Sequence, residues 1–215
     1  MSPDTPEKIA FLFLGWLLGM LSPIVVDAIK RRRENTLGRS AILAELAELA
    51  DILATAAYGA KMHAGTVDRS FLEWLKTYSE QHATIQSLQE FIPRLRTQLS
   101  WSDADLQKIA SHMSADDGKG SMLQHYPIPL LDARVSALWT FDTSFQRQLL
   151  AIRRNVALLD DIVDRSRKYF DLTFSKLEGE NYRLVTENLV QTYSLYASRA
   201  VQVVDQIVQL KSIAS

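Results

Sequence analysis

The run Ile9–Val26, IAFLFLGWLLGMLSPIVV, holds no charged residue, and Lys30-Arg31-Arg32-Arg33 follows it almost at once. As a helix rising about 1.5 Å per residue, eighteen residues cover roughly 27 Å, close to the hydrocarbon core of a bilayer. Only Ser22 interrupts the apolar surface, so the helix has no polar stripe. A helix that is apolar all round needs lipid or a large protein around it, and a chain of 215 residues offers little of the latter. A cleaved secretory signal fits less well, although Val26-Asp27-Ala28 faintly resembles a cleavage site. Such signals carry their cations before the apolar core, whereas this leader holds Asp4, Glu7 and Lys8. The expectation is a transmembrane helix over residues 9–29, preceded by a short non-cytoplasmic leader at 1–8. Clustered Lys and Arg stay on the cytoplasmic side. Lys30, Arg31, Arg32 and Arg33 therefore act as the topology anchor and place residues 30–215 in the cytoplasm.

Within that span Gly15 and Gly19 form a G-x-x-x-G pair. The spacing puts two missing side chains on one helix face and lets a partner backbone approach. Both are candidate residues for packing between membrane helices. Pro23 lies near the cytoplasmic end, where a kink is tolerated. Trp16 lies mid-span and reads as a packing residue rather than an interfacial one.

The whole chain has 24 Lys and Arg against 25 Asp and Glu. Five of the former and three of the latter precede Glu34, which leaves nineteen against twenty-two for the rest. A net charge near −3 is no footprint for nucleic acid, which calls for a basic face. The absence of Cys excludes disulfides, zinc-thiolate sites and thiol catalysis.

Helical periodicity runs through the remainder. Leu43, Ala47, Ala50, Ala54 and Ala57 make a seam of mostly small residues on a helix from Glu34 to about Ala64, the kind that lets two helices pack closely. Gly65 breaks the chain, and Ser70 with Glu73 reads as a capping box for the next helix. That helix carries Phe71, Leu75, Tyr78, His82, Ile85, Leu88, Ile92, Leu95 and Leu99 with a kink at Pro93. Ser102 and Asp105 cap a short third helix, where Trp101 and Leu106 can form a hydrophobic staple. A loop follows at 114–129, holding Asp116, Asp117, Gly118, Gly120, Pro127 and Pro129.

Leu131, Val135, Leu138, Phe145, Leu149, Ile152, Val156, Leu159, Val163 and Phe170 then hold a three-four alternation, interrupted at Asp142 and Ser166. Packing of coiled-coil type follows from a seam this long. After a turn near Gly179, Val185, Leu189, Tyr193, Tyr196, Ala200, Val203, Ile207 and Leu210 outline a second long helix. Short connections make such helices antiparallel neighbours. The fold expected is all-α, one transmembrane helix followed by an elongated antiparallel bundle of about four helices.

Candidate chemistry is sparse. Asp160-Asp161-Ile162-Val163-Asp164 resembles the D-D-x-x-D motif with which prenyl-diphosphate synthases and terpene cyclases hold magnesium and a diphosphate. Carboxylates at i and i+4 share a helix face, and hard oxygen ligands suit magnesium. The resemblance covers five residues, no second motif accompanies it, and Arg165, Arg167 and Lys168 follow directly. A solvated, ion-paired helix face is the reading adopted. His63, His82, His112 and His125 fall on different elements, and no E-x-x-H pair occurs, so a di-metal site of the ferritin type has no support. Gly118-Lys119-Gly120-Ser121 lacks the first Gly of a phosphate loop and a preceding strand. No G-x-S-x-G elbow occurs. Neither a metal nor an organic cofactor is expected, and no catalytic residue is assigned.

These features describe a membrane-anchored helical module without catalysis that scaffolds, senses or docks a protein partner. Its partners are the lipid bilayer and a protein, or a second copy of itself. A membrane-active effector, whose anchors assemble into a pore when the bundles associate, is the alternative.

Overall fold

The computed structural model describes the backbone of residues 4–112 and 121–214; the side chains at 4–10, 12, 17, 18, 20–24, 31, 87 and 214 lie outside it. Among the described residues there are seven α-helices: α1 Asp4–His63, α2 Arg69–Gln81, α3 Gln86–Leu99, α4 Asp103–His112, α5 Pro129–Arg134, α6 Thr143–Thr173 and α7 Glu180–Ala214. A 3-10 helix, Val135–Thr140, separates α5 from α6. No strand occurs among the described residues, so the all-α expectation holds. The chain divides into two compact units, Met1–Ile42 and Leu43–Ser215.

In the first unit the expected membrane helix has no support: among the described residues, no helix is long and apolar enough to cross a membrane. Ten of the eighteen side chains of Ile9–Val26, Ser22 and Pro23 among them, lie outside the described residues, as does the side-chain detail of the 1–8 leader. Phe11, Phe13, Leu14, Trp16, Val25 and Val26 are described, and all are exposed.

The second unit is built as the long seams require. On α6, Phe145, Leu149, Ile152, Val156, Leu159 and Val163 are buried; on α7, Leu189, Tyr193, Tyr196, Ala200, Val203, Ile207 and Leu210 are buried. The two helices pair antiparallel across the short 174–179 connection, where Gly179 takes a left-handed φ of 60°. Asn155 Nδ2 donates to Gln206 Oε1 at 2.8 Å across that contact. Trp74 Nε1 donates to Asp205 Oδ1 at 2.9 Å and so ties α2 to α7.

About four helices were expected, and the count is higher because polar contacts cut the long seams. The helix expected over 70–99 is broken between His82 and Ile85. There the amides of Thr84 and Ile85 leave the helical ladder and donate to Asp51 Oδ2 on α1, at 2.7 and 3.1 Å. The cap of α2 is Asp68 rather than Ser70: Asp68 Oδ1 accepts from the Phe71 amide at 2.8 Å, and the Ser70 hydroxyl merely donates to the same oxygen. Ser102 does cap α4, with Asp105 N donating to its Oγ at 3.1 Å and that hydroxyl donating back to Asp105 Oδ2 at 2.6 Å. The seam from Leu131 to Phe170 is not one helix either. Asp142 accepts from the Phe145 amide at 2.9 Å and starts α6 afresh. Ser166, expected as an interruption, lies buried within α6. On α1 the buried stripe runs through Leu46, Leu49, Ala50, Leu53, Ala54, Ala57 and Ala60, while Leu43 and Ala47 are only half-buried.

Candidate functional site

Residues 121–128 carry no regular secondary structure, and with the start of α5 they form a strap held down at three points. The Tyr193 hydroxyl on α7 donates to the Ser121 carbonyl at 2.6 Å. Glu45 on α1 accepts from the amides of Leu130 and Leu131 at 2.8 and 2.9 Å. These are two of the unsatisfied donors at the start of α5, so one carboxylate serves as both cap and tether.

The third point is His125. Its Nδ1 lies 2.9 Å from Asp160 Oδ1 and its Nε2 lies 3.0 Å from Asp164 Oδ1, both on α6. Carboxylates only accept, so a ring nitrogen that carries a hydrogen donates to the carboxylate opposite it. Two members of the D-D-x-x-D segment are thus engaged by a histidine 35 and 39 residues away in sequence, and Asp161 points to solvent. The expected pairing partners were Arg165, Arg167 and Lys168; the structure supplies His125 instead. Among the described residues, no group of three or more His, Cys, Asp or Glu is arranged to hold a metal ion.

Behind the strap lies a cleft of about 210 Å³. Ala56, Gly59, Ala60 and His63 of α1 form one side, Ser121 to Gln124 and Tyr126 of the strap the other, and Tyr196 of α7 the end. Small residues at 56, 59 and 60 leave helix backbone as the floor. A Cβ placed on Gly59 would meet nothing within 4 Å. The Nδ1 of His63 is buried with no hydrogen-bond partner among the described residues, and the ring lies 5.6 Å from that of Tyr193. Burial holds His63 below its ordinary value of 6.5. Burial also raises the Tyr126 and Tyr196 phenols, the latter helped by Tyr126 and Asp160 alongside. All three groups are therefore neutral at pH 7. Between α6 and α7 runs a larger, open polar groove of about 460 Å³, lined by Arg165, Tyr169, Asn188, Gln191, Ser194 and Ser198 among others.

The His63 shift sets a pH dependence. Its folded-state value is depressed, so the unfolded chain takes the proton first as pH falls below about 6.5. Stability is then lost with falling pH through the range just under 6.5. Thermal melts of His63→Gln between pH 7 and pH 5 should decline less steeply than those of the parent chain; parallel curves would dissociate His63 from the effect.

Sequence reasoning placed the four histidines on separate elements, and they are separate: the end of α1, the C-cap of α2, the end of α4 and the strap. It missed the cleft. The residues 114–120, including Gly118-Lys119-Gly120, lie outside the described residues. Gly15 and Gly19 sit one turn apart on α1, both exposed and with open space where a Cβ would stand. Lys30, Arg32 and Arg33 are exposed, and the Arg31 side chain is outside the described set. Comparison of the chain with protein families, with curated proteins and with solved structures finds no match.

Proposed function

We propose that this protein is a membrane-tethered helical module that docks a protein partner at the cytoplasmic face without performing catalysis. One observation carries the reading: an uncharged run of eighteen residues that ends at a block of four cations. Phe11, Phe13, Leu14 and Trp16 point in four different directions around α1 at 100° per residue, and each is at least 58% exposed. An apolar surface that wraps a helix on all sides is costly in water and is covered at no such cost by lipid. The single-pass arrangement, with residues 1–8 outside and 30–215 in the cytoplasm, follows from Lys30, Arg31, Arg32 and Arg33. The absence of catalysis is supported by what the polar clusters do: Asp51, Glu45, Arg69 and His125 each hold one segment of the Leu43–Ser215 unit to another. Gly15 and Gly19 offer a face for self-association within the bilayer.

Topology is the direct test. The full chain should remain in the membrane pellet after an alkaline wash. A reporter active only outside the cytoplasm, fused after Ser215, should be silent, and neutralising Lys30 and Arg31–Arg33 together should give mixed orientation. Recovery of the full chain in the wash supernatant would sink the anchor, and reporter activity in the parent chain would reverse the orientation.

A further inference from the structure

The cleft behind the strap holds three features that no packing role accounts for. The first is His63, which lines the cleft and whose Nδ1 has no hydrogen-bond partner among the described residues. Buried polar groups in folded proteins are nearly always paired. The second is Gly59, which sits inside α1 where glycine is a poor helix former, although a side chain there would meet nothing within 4 Å. Packing does not demand the glycine; open space is what it provides. The third is the lining chemistry. Among the described residues, every polar side chain that lines it is uncharged: an imidazole kept neutral by burial, a carboxamide, a serine hydroxyl, and two phenols kept protonated.

That lining selects against negative charge. An anion entering the cleft would lose hydration and meet no counter-charge among the described residues, while Asp160 beside Tyr196 adds a repulsive field. It also selects for mixed hydrogen bonding. Neutral imidazole, carboxamide and phenol each offer both a donor and an acceptor, so the complementary ligand edge carries both as well. Size and shape narrow the class further. About 210 Å³ is the liquid volume of roughly seven waters at ~30 Å³ each, too little for a dinucleotide or haem and enough for a substituted single ring. Small residues at Ala56, Gly59 and Ala60 on one side, with Tyr126 and Tyr196 also in the lining, favour a flat molecule.

We propose that this cleft binds an uncharged planar heterocycle bearing an amide edge, with His63, Gln124 and Tyr126 as its hydrogen-bonding partners. The strap then serves as the outer wall of the site, and its three tethers through Tyr193, His125 and Glu45 set the cleft width. The site stands independently of the membrane anchor, because it lies wholly within the Leu43–Ser215 unit.

Nicotinamide is a suitable probe, and nicotinate, which differs by one negative charge, is its control. Full-length protein in zwitterionic detergent, labelled with carbon-13 at the histidine ring, gives four ring signals that His→Gln variants assign. Millimolar nicotinamide should move the His63 signal saturably and leave that of His112, at the end of α4, unmoved. Nicotinate should leave both unmoved. Gly59→Leu, which fills the floor, should abolish the His63 response, and Tyr126→Phe on the strap should weaken binding roughly fivefold to tenfold. Absence of a saturable His63 shift with nicotinamide would overturn the site. An equal response to nicotinate would overturn the selection against negative charge. Unchanged affinity in Tyr126→Phe together with a retained response in Gly59→Leu would overturn the location. Should Gly59→Leu lose its helical spectrum, the Tyr126→Phe affinity decides the location alone.

Discussion

Leu149→Asp is expected to abolish cooperative folding of the Leu43–Ser215 unit. Leu149 is 0% exposed at the centre of the α6 seam, between the equally buried Phe145 and Ile152 and about two and three turns before Val156 and Leu159. Removing the leucine forfeits about 2–3 kcal/mol of apolar burial. Placing a carboxylate there adds several kcal/mol of desolvation, because the neighbouring buried residues are apolar and offer no partner. A domain of this size has roughly 5–15 kcal/mol in total, so the sum removes most or all of it. Far-ultraviolet circular dichroism should show a reduced helical signal and no sharp melt. Leu159→Asp should behave alike. Asp161→Ala, on the same helix but exposed, should melt within about 0.5 kcal/mol of the parent. A cooperative melt retained by Leu149→Asp would mean that the seam is not the core.

The contrast between those two substitutions marks what periodicity reads well. A three-four alternation reports which face of a helix is buried whatever lies against it, so Leu149, Leu159, Tyr193 and Ile207 were all legible as core. Helix ends set by adjacent residues were legible too, as at Ser102 with Asp105. Ends set at long range were not. The break between α2 and α3 is imposed by Asp51, more than thirty residues earlier, and in the local sequence His82 to Ile85 simply continues a helical pattern. The acidic run on α6 looked like a solvated face because its partner, His125, lies in a segment with no periodicity at all. The cleft was obscured for a related reason. Ala56, Gly59 and Ala60 carry the small-residue pattern that signals close helix packing, and the pattern is the same when what approaches is a strap that stops short. A histidine one turn past such a run, on the same face as Gly59, was the available hint.

Asp51 yields the second large effect. It is the one fully buried carboxylate among the described residues, 0% exposed in an otherwise apolar stretch of α1. Four donors converge on it: the Tyr78 hydroxyl at 2.6 Å, the Thr84 amide at 2.7 Å, the Thr84 hydroxyl at 2.5 Å and the Ile85 amide at 3.1 Å. Burial first, and then the Asp51 carboxylate, drive the Tyr78 phenol far above its ordinary range, so it remains a donor. Asp51→Ala leaves those donors unmatched, three of them in the segment that turns the chain from α2 into α3. Breaking a buried charged cluster from one side costs about 3–5 kcal/mol, which for a domain of this length lowers Tm by roughly 10–15 °C. Asp51→Asn should fall nearly as far, since its amide nitrogen would confront donors rather than accept from them. Tyr78→Phe removes a single contact and should cost about 1.5–3 kcal/mol, the range for a hydrogen bond to a charged group. Combining Tyr78→Phe with Asp51→Ala should cost less than the two apart, because one stranded donor is deleted with its acceptor. Hydrogen exchange supplies the local reading: the Thr84 and Ile85 amides should lose protection in Asp51→Ala while amides in the middle of α6 keep theirs. A variant whose Thr84 and Ile85 amides stay protected would mean that the break between α2 and α3 is written in the His82–Ile85 segment itself, and that Asp51 answers the turn rather than imposing it.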